Sequence, residues 1–292
     1  MTDGNNANRT AVALGNFDGM HVGHMAVLEA AKSFESEGLL PVAVLFDEHS
    51  LKAITGKAPA MLMTVTERNR IINENGLGIE TLVFNEIRDL SPSDFVEKIL
   101  VGRLGAAAVC CGYNYRFGKG ASGTAQTMSE ICGRLGLKCR VSGEVDVDRC
   151  AVSSTKIRGF IENGEIEKAN KMLGRPFGFS SRVIDGDKRG RVLGFPTINQ
   201  IIPEELAMPR FGVYQSVVTV NGERFKGVTN VGRRPTVGTE KILSETHILD
   251  FDRDIYGENV DVRLIKFIRP EKKFSSFDEL ARQIKSDAKE VR

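Results

Sequence analysis

Two imidazoles and three glycines share one short stretch, Gly15-Asn-Phe-Asp-Gly-Met-His-Val-Gly-His24. A β-type run, Thr10 to Leu14, leads in, and an amphipathic run, Met25 to Phe34, leads out. The pattern predicts a strand, a Gly-rich turn and a helix. Backbone N–H groups at a helix start lack partners within the helix and point at any anion placed there. Gly15, Gly19 and Gly23 let the backbone approach such a ligand with no Cβ in the way. Phe17 and Asp18 lie inside the turn. His21 and His24, three apart on the first helical turn, share a face and could donate to a phosphate whose charge changes during reaction. A buried His pair satisfied by backbone is the plainer alternative.

A second constellation lies much later. Asp185-Gly-Asp-Lys-Arg-Gly-Arg-Val-Leu-Gly194 is a basic, Gly-rich loop, followed by Phe195-Pro-Thr-Ile-Asn199. Gly186, Gly190 and Gly194 allow amides to wrap phosphates, and Lys188, Arg189 and Arg191 add charge. Thr197 and Asn199 are oxygen-bearing and two apart, so on a strand they face one way. Hard oxygens suit Mg²⁺, which keeps waters and substrate phosphates as its other ligands. Glu245, at a strand entry, could take a proton from an alcohol. A solvated basic loop and an ordinary acidic residue are the competing readings. Two smaller signals remain. In Gly112-Tyr-Asn-Tyr-Arg-Phe-Gly118, Asn114, Tyr115, Arg116 and Phe117 could line a flat ring and a phosphate, although aromatic turns are commonly structural. Ser153, Ser154 and Thr155 open a helical run that carries Lys156 and Arg158, a second candidate anion-binding terminus or an ordinary N-cap.

The elements that must hold these residues alternate over the first half. Strands are expected at Val42 to Phe46, Thr81 to Phe84, Ala106 to Cys111 and Lys138 to Val141. Between them, Thr64-Val-Thr-Glu67 opens a helix towards Asn75, and Ser91-Pro92 starts one with Phe95, Val96, Ile99 and Leu100 as its stripe. A further helix spans Thr124 to Leu135 and closes at Gly136. Such alternation implies an α/β, doubly wound parallel sheet, whose ligands bind beyond the carboxyl ends of the strands. After a helical stretch from Gly159 to Leu173, broken at Gly164, the chain reads all-β. Val213 to Val220 and Arg224 to Val231 flank the hairpin signal Asn221-Gly222. His247 to Phe251 and Val260 to Ile268 read as strands, and Ser276 caps a terminal helix with Leu280 and Ile284 on its stripe. A boundary is expected near Leu173, giving domains 1–173 and 174–292.

Composition bounds the function. The 292 residues are 41% hydrophobic and 27% charged, with a net charge of +2. That charge argues for neither nucleic acid nor an anionic membrane surface. No apolar run reaches bilayer length. Met1 to Arg9 is polar and shows no secretory h-region. Five cysteines without a Cys-x-x-Cys pair fit a reducing cytoplasm better than a disulfide framework or a zinc site.

Gly15 to His24 resembles the Gly-x-Phe-Asp-x-x-His-x-Gly-His signature of the nucleotidyltransferase superfamily. The whole chain, in order, resembles the bacterial bifunctional riboflavin kinase/FMN adenylyltransferase family, known as FAD synthetases. Gly112 to Gly118 and Ser153 to Arg158 look like further adenylyltransferase motifs, and Gly174-Arg-Pro176 like the junction. Gly190 to Asn199 looks like the kinase motif Gly-x-x-x-Gly-Phe-Pro-Thr-x-Asn; Gly227 to Thr236, Glu245 to Phe251 and Tyr256-Gly257 match its later segments. The resemblance implies a Rossmann-like nucleotidyltransferase sheet followed by a small antiparallel β-barrel with a C-terminal helix. It implies phosphorylation of riboflavin by ATP to give FMN, then adenylyl transfer to FMN giving FAD and pyrophosphate. Thr197 and Asn199 would hold Mg²⁺, Glu245 would be the base for the ribityl hydroxyl, and His21 and His24 would act electrostatically. Nucleic acid and membrane are not expected partners. Two departures stand out. Phe46-Asp-Glu-His-Ser50 replaces the family's Phe-x-Pro-His-Pro, and Ser181 stands where a Gly is usual. The first motivates an alternative, a kinase whose N-terminal half only binds nucleotide. A non-catalytic flavin-binding regulator is a second alternative, which intact Thr197, Asn199 and Glu245 oppose.

Overall fold

The computed structural model describes residues 9–47, 56–186, 194–236 and 239–291. The chain divides into two compact units: residues up to Pro59 with Val65–Ser153, and Ala60–Thr64 with Ser154 onward.

The first unit is built on a five-stranded sheet in the order β3-β2-β1-β4-β7. Its strands are β1 (Thr10–Leu14), β2 (Leu40–Phe46), β3 (Gly78–Leu82), β4 (Ala106–Gly112) and β7 (Lys138–Ser142), all parallel. A short hairpin, β5 (Arg116–Phe117) and β6 (Gly123–Thr124), follows β4. Another, β8 (Asp146–Val147) and β9 (Cys150–Ala151), follows β7. Ala11 to Leu14 and Ala106 to Cys111 are buried throughout, as expected of central parallel strands covered on both faces. Besides a single turn at Phe84–Ile87, the helices are α1 (Val22–Lys32), α2 (Val65–Glu74), α3 (Pro92–Asp94, continuing as wider π-type turns over Phe95–Arg103) and α4 (Ala125–Arg134). Their ends follow local chemistry. Ser91 Oγ accepts from the Asp94 N–H, with Pro92 at the first helical position, and Thr124 caps α4 through the Thr127 N–H. The chain runs β1, β2, β3 towards one edge, then returns to β4 and β7 on the other side. The order therefore reverses between β1 and β4.

The second unit begins with α5 (Ser154–Asn163) and α6 (Ile166–Leu173). Gly164, with φ +79°, breaks the helical run as expected, but α5 starts at Ser154, ahead of Gly159. Ile157, Ile161, Ile166 and Leu173 are buried. Asn170 ties α6 to the strands, donating to the Leu264 carbonyl at 2.8 Å and accepting from the Phe177 N–H at 2.7 Å. By packing, then, these helices belong with the β-unit, although the sequence pattern changes only after Leu173.

The strands β10 (Gly178–Ile184), β11 (Ile198–Ile201), β12 (Gly212–Val220), β13 (Glu223–Thr236), β14 (Thr239–Ile248) and β15 (Asn259–Arg269) close an antiparallel barrel. Asn221 and Gly222, both with positive φ, form the expected hairpin turn between β12 and β13. Part of the interior is polar. Gln200 Nε2 donates to the carbonyls of Ser181 and Val260, and Thr229 links Ser216 and Thr246 through hydroxyls. That interior explains a difference. A strand was expected from His247, yet β14 runs from Thr239 and ends at Ile248, because its inward residues include Ser244 and Thr246 and no apolar alternation marks it. Helix α7 (Phe277–Val291), capped by Ser276, buries Ala288 and Val291 against Val213 and Val228 on the outside of the barrel. Buried Asp287 pairs there with Arg269 at 2.7 Å.

Candidate active sites

In an open parallel sheet the ligand crevice lies beyond the carboxyl ends of the strands where their order reverses. Here those strands are β1 and β4, paired up to Leu14 and Cys111. Gly15–His24 follows the one and Gly112–Gly118 the other, so the fold brings these two motifs side by side.

The turn after β1 is tightly wound. Phe17, Gly19 and Met20 have φ of +51°, +81° and +40°. Left-handed backbone at a non-Gly residue costs about 1–3 kcal/mol and persists where surroundings enforce it; Phe17 and Met20 are fully buried. Gly15 and Gly23 sit close against neighbouring rings. A Cβ on Gly15 would lie 3.1 Å from the Phe17 ring, and one on Gly23 3.3 Å from the His21 imidazole. His21 is the N-cap of α1, its Nδ1 accepting from the His24 N–H at 3.2 Å. In the neutral ring the proton is then on Nε2. The two imidazoles stack at 3.6 Å, with the Phe17 ring edge-on to His24 at 5.4 Å. Backbone satisfaction and phosphate binding are therefore compatible: one nitrogen of His21 caps the helix while its ring stays locked against His24.

Arg68, on α2, is a residue that motif reading missed. Its Nη1 donates to the Asn16 carbonyl at 3.3 Å. Burial holds the guanidinium below its ordinary value, and the Asp18 carboxylate pulls the other way. Its only sequence signal was a place on an amphipathic helix.

After β4, the Tyr113 N–H bonds the Ser142 carbonyl at 2.8 Å and the Tyr115 N–H the Gly112 carbonyl at 3.0 Å. Asn114 and Arg116 are exposed and Tyr115 half-buried. Phe117 does not line the surface. It is buried in the core against Phe95 and stacks on Tyr115 at 5.9 Å, supporting it from beneath. Ser153 closes the first unit, whereas Ser154, Thr155 and Arg158 open α5 of the second. Arg158 Nε donates to the Ala60 carbonyl at 2.7 Å.

In the barrel, register assembles the other site. Asn199 of β11 lies directly opposite Glu245 of β14, and Glu245 opposite Asn230 of β13. Directly opposed side chains share a face, with Cβ atoms roughly 4.5–5.5 Å apart. The row Asn199–Glu245–Asn230 thus runs across the outer surface, next to the part covered by α7. Asn199 is buried and Glu245 half-buried. Gly186 packs on Asn199 so closely that a Cβ would lie 2.2 Å from its Nδ2. Thr197 precedes β11 by one residue. Its neighbour Pro196 is anchored through its carbonyl to His247 Nδ1 at 2.8 Å, and Phe195 meets the His247 ring edge-on at 5.5 Å. Asn230 and His247 lie in segments that resemble the family's, but nothing singled them out there, because only strand register brings them here. Gly194 takes φ +79°. Gly190 lies outside the described residues, as do Lys188, Arg189, Arg191 and Glu48 to Ser50. Ser181, where the family's Gly is usual, has a buried hydroxyl without a partner among the described residues.

Comparison with known proteins decides between these chemistries. A family model described as FAD synthetase matches residues 3–156, and one described as riboflavin kinase matches 173–292. The chain is 36% identical to the bifunctional riboflavin kinase/FMN adenylyltransferase of Bacillus subtilis, over 97% of this chain and 92% of that protein. The chain belongs to this family. The Escherichia coli relative of the same description is 35% identical over 94% of this chain and 90% of its own length. A solved structure from Streptococcus pneumoniae, described as a macrolide-efflux protein, matches with a TM-score of 0.88 at 29% identity, over 99% of this chain and 95% of that one. Among the described residues no helix is long and apolar enough to cross a membrane. The chain is an enzyme of FAD biosynthesis that uses ATP in both reactions, as riboflavin kinase and as FMN adenylyltransferase.

Proposed function

We propose that riboflavin is phosphorylated at the Thr197–Asn199–Glu245 row of the barrel and that FMN is adenylylated at the crevice beyond β1 and β4. The observation that carries the first assignment is the direct opposition of Asn199 and Glu245 across β11 and β14. An alcohol is barely ionised at neutral pH, so the ribityl hydroxyl needs a base, and Glu245 is a carboxylate one strand from a hard-oxygen pair. Thr197 and Asn199 offer a hydroxyl and a carboxamide oxygen, the donor chemistry Mg²⁺ takes when phosphates and waters complete its shell. Gly186 fits over Asn199 with no room for a side chain and fixes the carboxamide. When bound, the ion would neutralise charge on the ATP phosphates.

Adenylyl transfer differs, because its nucleophile, the FMN phosphate, is already ionised. That half then works by positioning and electrostatics. The start of α1 offers backbone N–H groups, and the locked His21–His24 pair offers donors to charge developing on the α-phosphate. Ser153, Ser154, Thr155 and Arg158 are read as a further anion-binding helix start, and Asn114, Tyr115 and Arg116 as flavin contacts. Phe117 serves through Tyr115. The two activities are read onto residues 1–173 and 174–292, with α5 and α6 packed on the barrel. A cytoplasmic location suits five free cysteines.

Incubation with riboflavin, ATP and Mg²⁺, with FMN and FAD separated over time, tests the scheme. Thr197→Ala and Asn199→Ala are expected to raise the Mg²⁺ requirement for FMN formation and to leave FAD formation from supplied FMN unchanged. An unaltered Mg²⁺ dependence in both variants would make these residues structural.

A further inference from the structure

The first unit holds a thiol pair that neither reaction uses. Ser129 and Cys132 lie three apart on α4 and so share a face. That face meets Cys139 on β7, the edge strand of the sheet. Ser129 Oγ lies 3.5 Å from Cys139 Sγ, and Cys139 packs against the core cluster that contains Cys132. The Leu137 N–H closes the intervening turn on the Cys132 carbonyl at 2.9 Å. Cys132 is buried, whereas Cys139 is half-buried and reachable. From β4, the thiols of Cys110 and Cys111 complete the surroundings, and Lys138 and Arg140 flank Cys139 on its own strand.

We propose that Cys139 and Cys132 are a peroxide-reactive pair, Cys139 the attacking thiolate and Cys132 the thiol that closes a disulfide with it. The Cys132 thiol beside it, and then the Ser129 hydroxyl, hold the Cys139 thiol below its ordinary value against the effect of burial, and the same neighbour pushes Cys132 up. Burial pushes Cys110 and Cys111 up to about 12, which leaves them inert. In the first step the Cys139 sulfur attacks hydrogen peroxide. An S–O bond forms, the O–O bond breaks, and the departing hydroxide takes a proton to become water. Sulfur is oxidised and peroxide reduced. Cys139, now a sulfenic acid, no longer holds the Cys132 proton by charge. Cys132 then releases that proton and attacks Cys139: the S–S bond forms, the S–O bond breaks, and a second water leaves.

The test treats the reduced full-length protein with hydrogen peroxide and follows each cysteine by peptide mass. Cys139 is expected to be lost on the order of tenfold faster than half-buried Cys150. A 1,3-dione should trap sulfenic acid at Cys139 early, and a Cys132–Cys139 disulfide reversible by dithiothreitol should accumulate later. In Cys132→Ser, or Cys132→Ala where serine unsettles the core, the dione adduct should persist and no disulfide form. The wild-type time course needs no substitution. Loss of Cys150 at the rate of Cys139, or wild-type oxidation that passes to sulfinic acid without the disulfide, would overturn the proposal.

Discussion

Replacing Glu245 by Gln is expected to separate the two chemistries of this chain. Glu245 points outward between Asn199 and Asn230, while its neighbours Ser244 and Thr246 point into the barrel. Gln keeps the volume and the hydrogen-bonding edge, so the ladder, the polar interior and the Asn199 position should survive. What it loses is the capacity to take a proton. General-base loss typically costs about 10²–10⁴-fold, which is about 2.7–5.4 kcal/mol of barrier. Because the side chain is half-buried and not sealed, water can take some of the proton, and the lower half of that range is expected. Single-turnover FMN formation is the assay, since it excludes product release. The rate constant should fall at unchanged riboflavin and ATP affinity, and FAD formation from supplied FMN should continue at the wild-type rate. Near-normal kinase turnover in Glu245→Gln would refute the base assignment. A parallel fall in FAD formation would show that the variant perturbs more than the barrel site.

His24→Ala is expected to slow FAD formation from FMN and ATP by roughly 10²–10³-fold with kinase activity intact; His21→Ala should do the same and also lower stability by about 1 kcal/mol, since it removes the α1 cap. Variants that match the wild type in FAD formation would remove the phosphate role. Asp287→Ala strands Arg269 at a largely buried pair and should destabilise the barrel unit by about 3 kcal/mol in urea unfolding followed by kinase activity, whereas pairing Asp287→Leu with Arg269→Met should recover much of that loss; equal losses in the two would place the effect elsewhere. A fragment from Ser154 to Arg292 should fold and phosphorylate riboflavin, and one from Gly174 should unfold at lower temperature because it lacks the buried face of α5 and α6. Equal melting of the two fragments would show that those helices contribute nothing to the barrel.

Much of this was legible in the chain because its cues are local. The apolar runs Ala11 to Leu14 and Ala106 to Cys111 announce buried parallel strands, and Ser91, Thr124 and Ser276 mark helix starts through their own hydroxyls. Glycines at Gly136, Gly164 and Gly222 stand where the backbone takes positive φ. What stayed hidden is non-local. Strand β14 carries no apolar alternation that would mark it, since its inward residues Ser244 and Thr246, with Thr229 opposite, are polar. The partners of Glu245 follow from the register of three strands remote in sequence, which no spacing along one of them encodes. Arg68 reaches Asn16 and Asp18 only because α2 packs beside the turn after β1. The packing of α5 and α6 with the barrel was hidden because helical periodicity says which face is apolar and not what covers it.

The architecture of each unit suits the nucleophile it must handle. A phosphate that is already charged needs its repulsion lowered and its geometry fixed. A helix start beyond a parallel sheet can do both with backbone groups, and the two histidines are held there by a cap, a stack and a strained turn. A neutral alcohol instead needs a base close to hard oxygens yet not neutralised by a cation of the protein. In an antiparallel row the register sets each directly opposed neighbour of a carboxylate one by one. Here both directly opposed neighbours are carboxamides, Asn199 and Asn230, which add no charge of their own. Replacing either by Lys would pair the base and lower its readiness to accept a proton. With Glu245 proposed as the base, uncharged side chains directly opposite it are therefore expected to be part of the kinase chemistry.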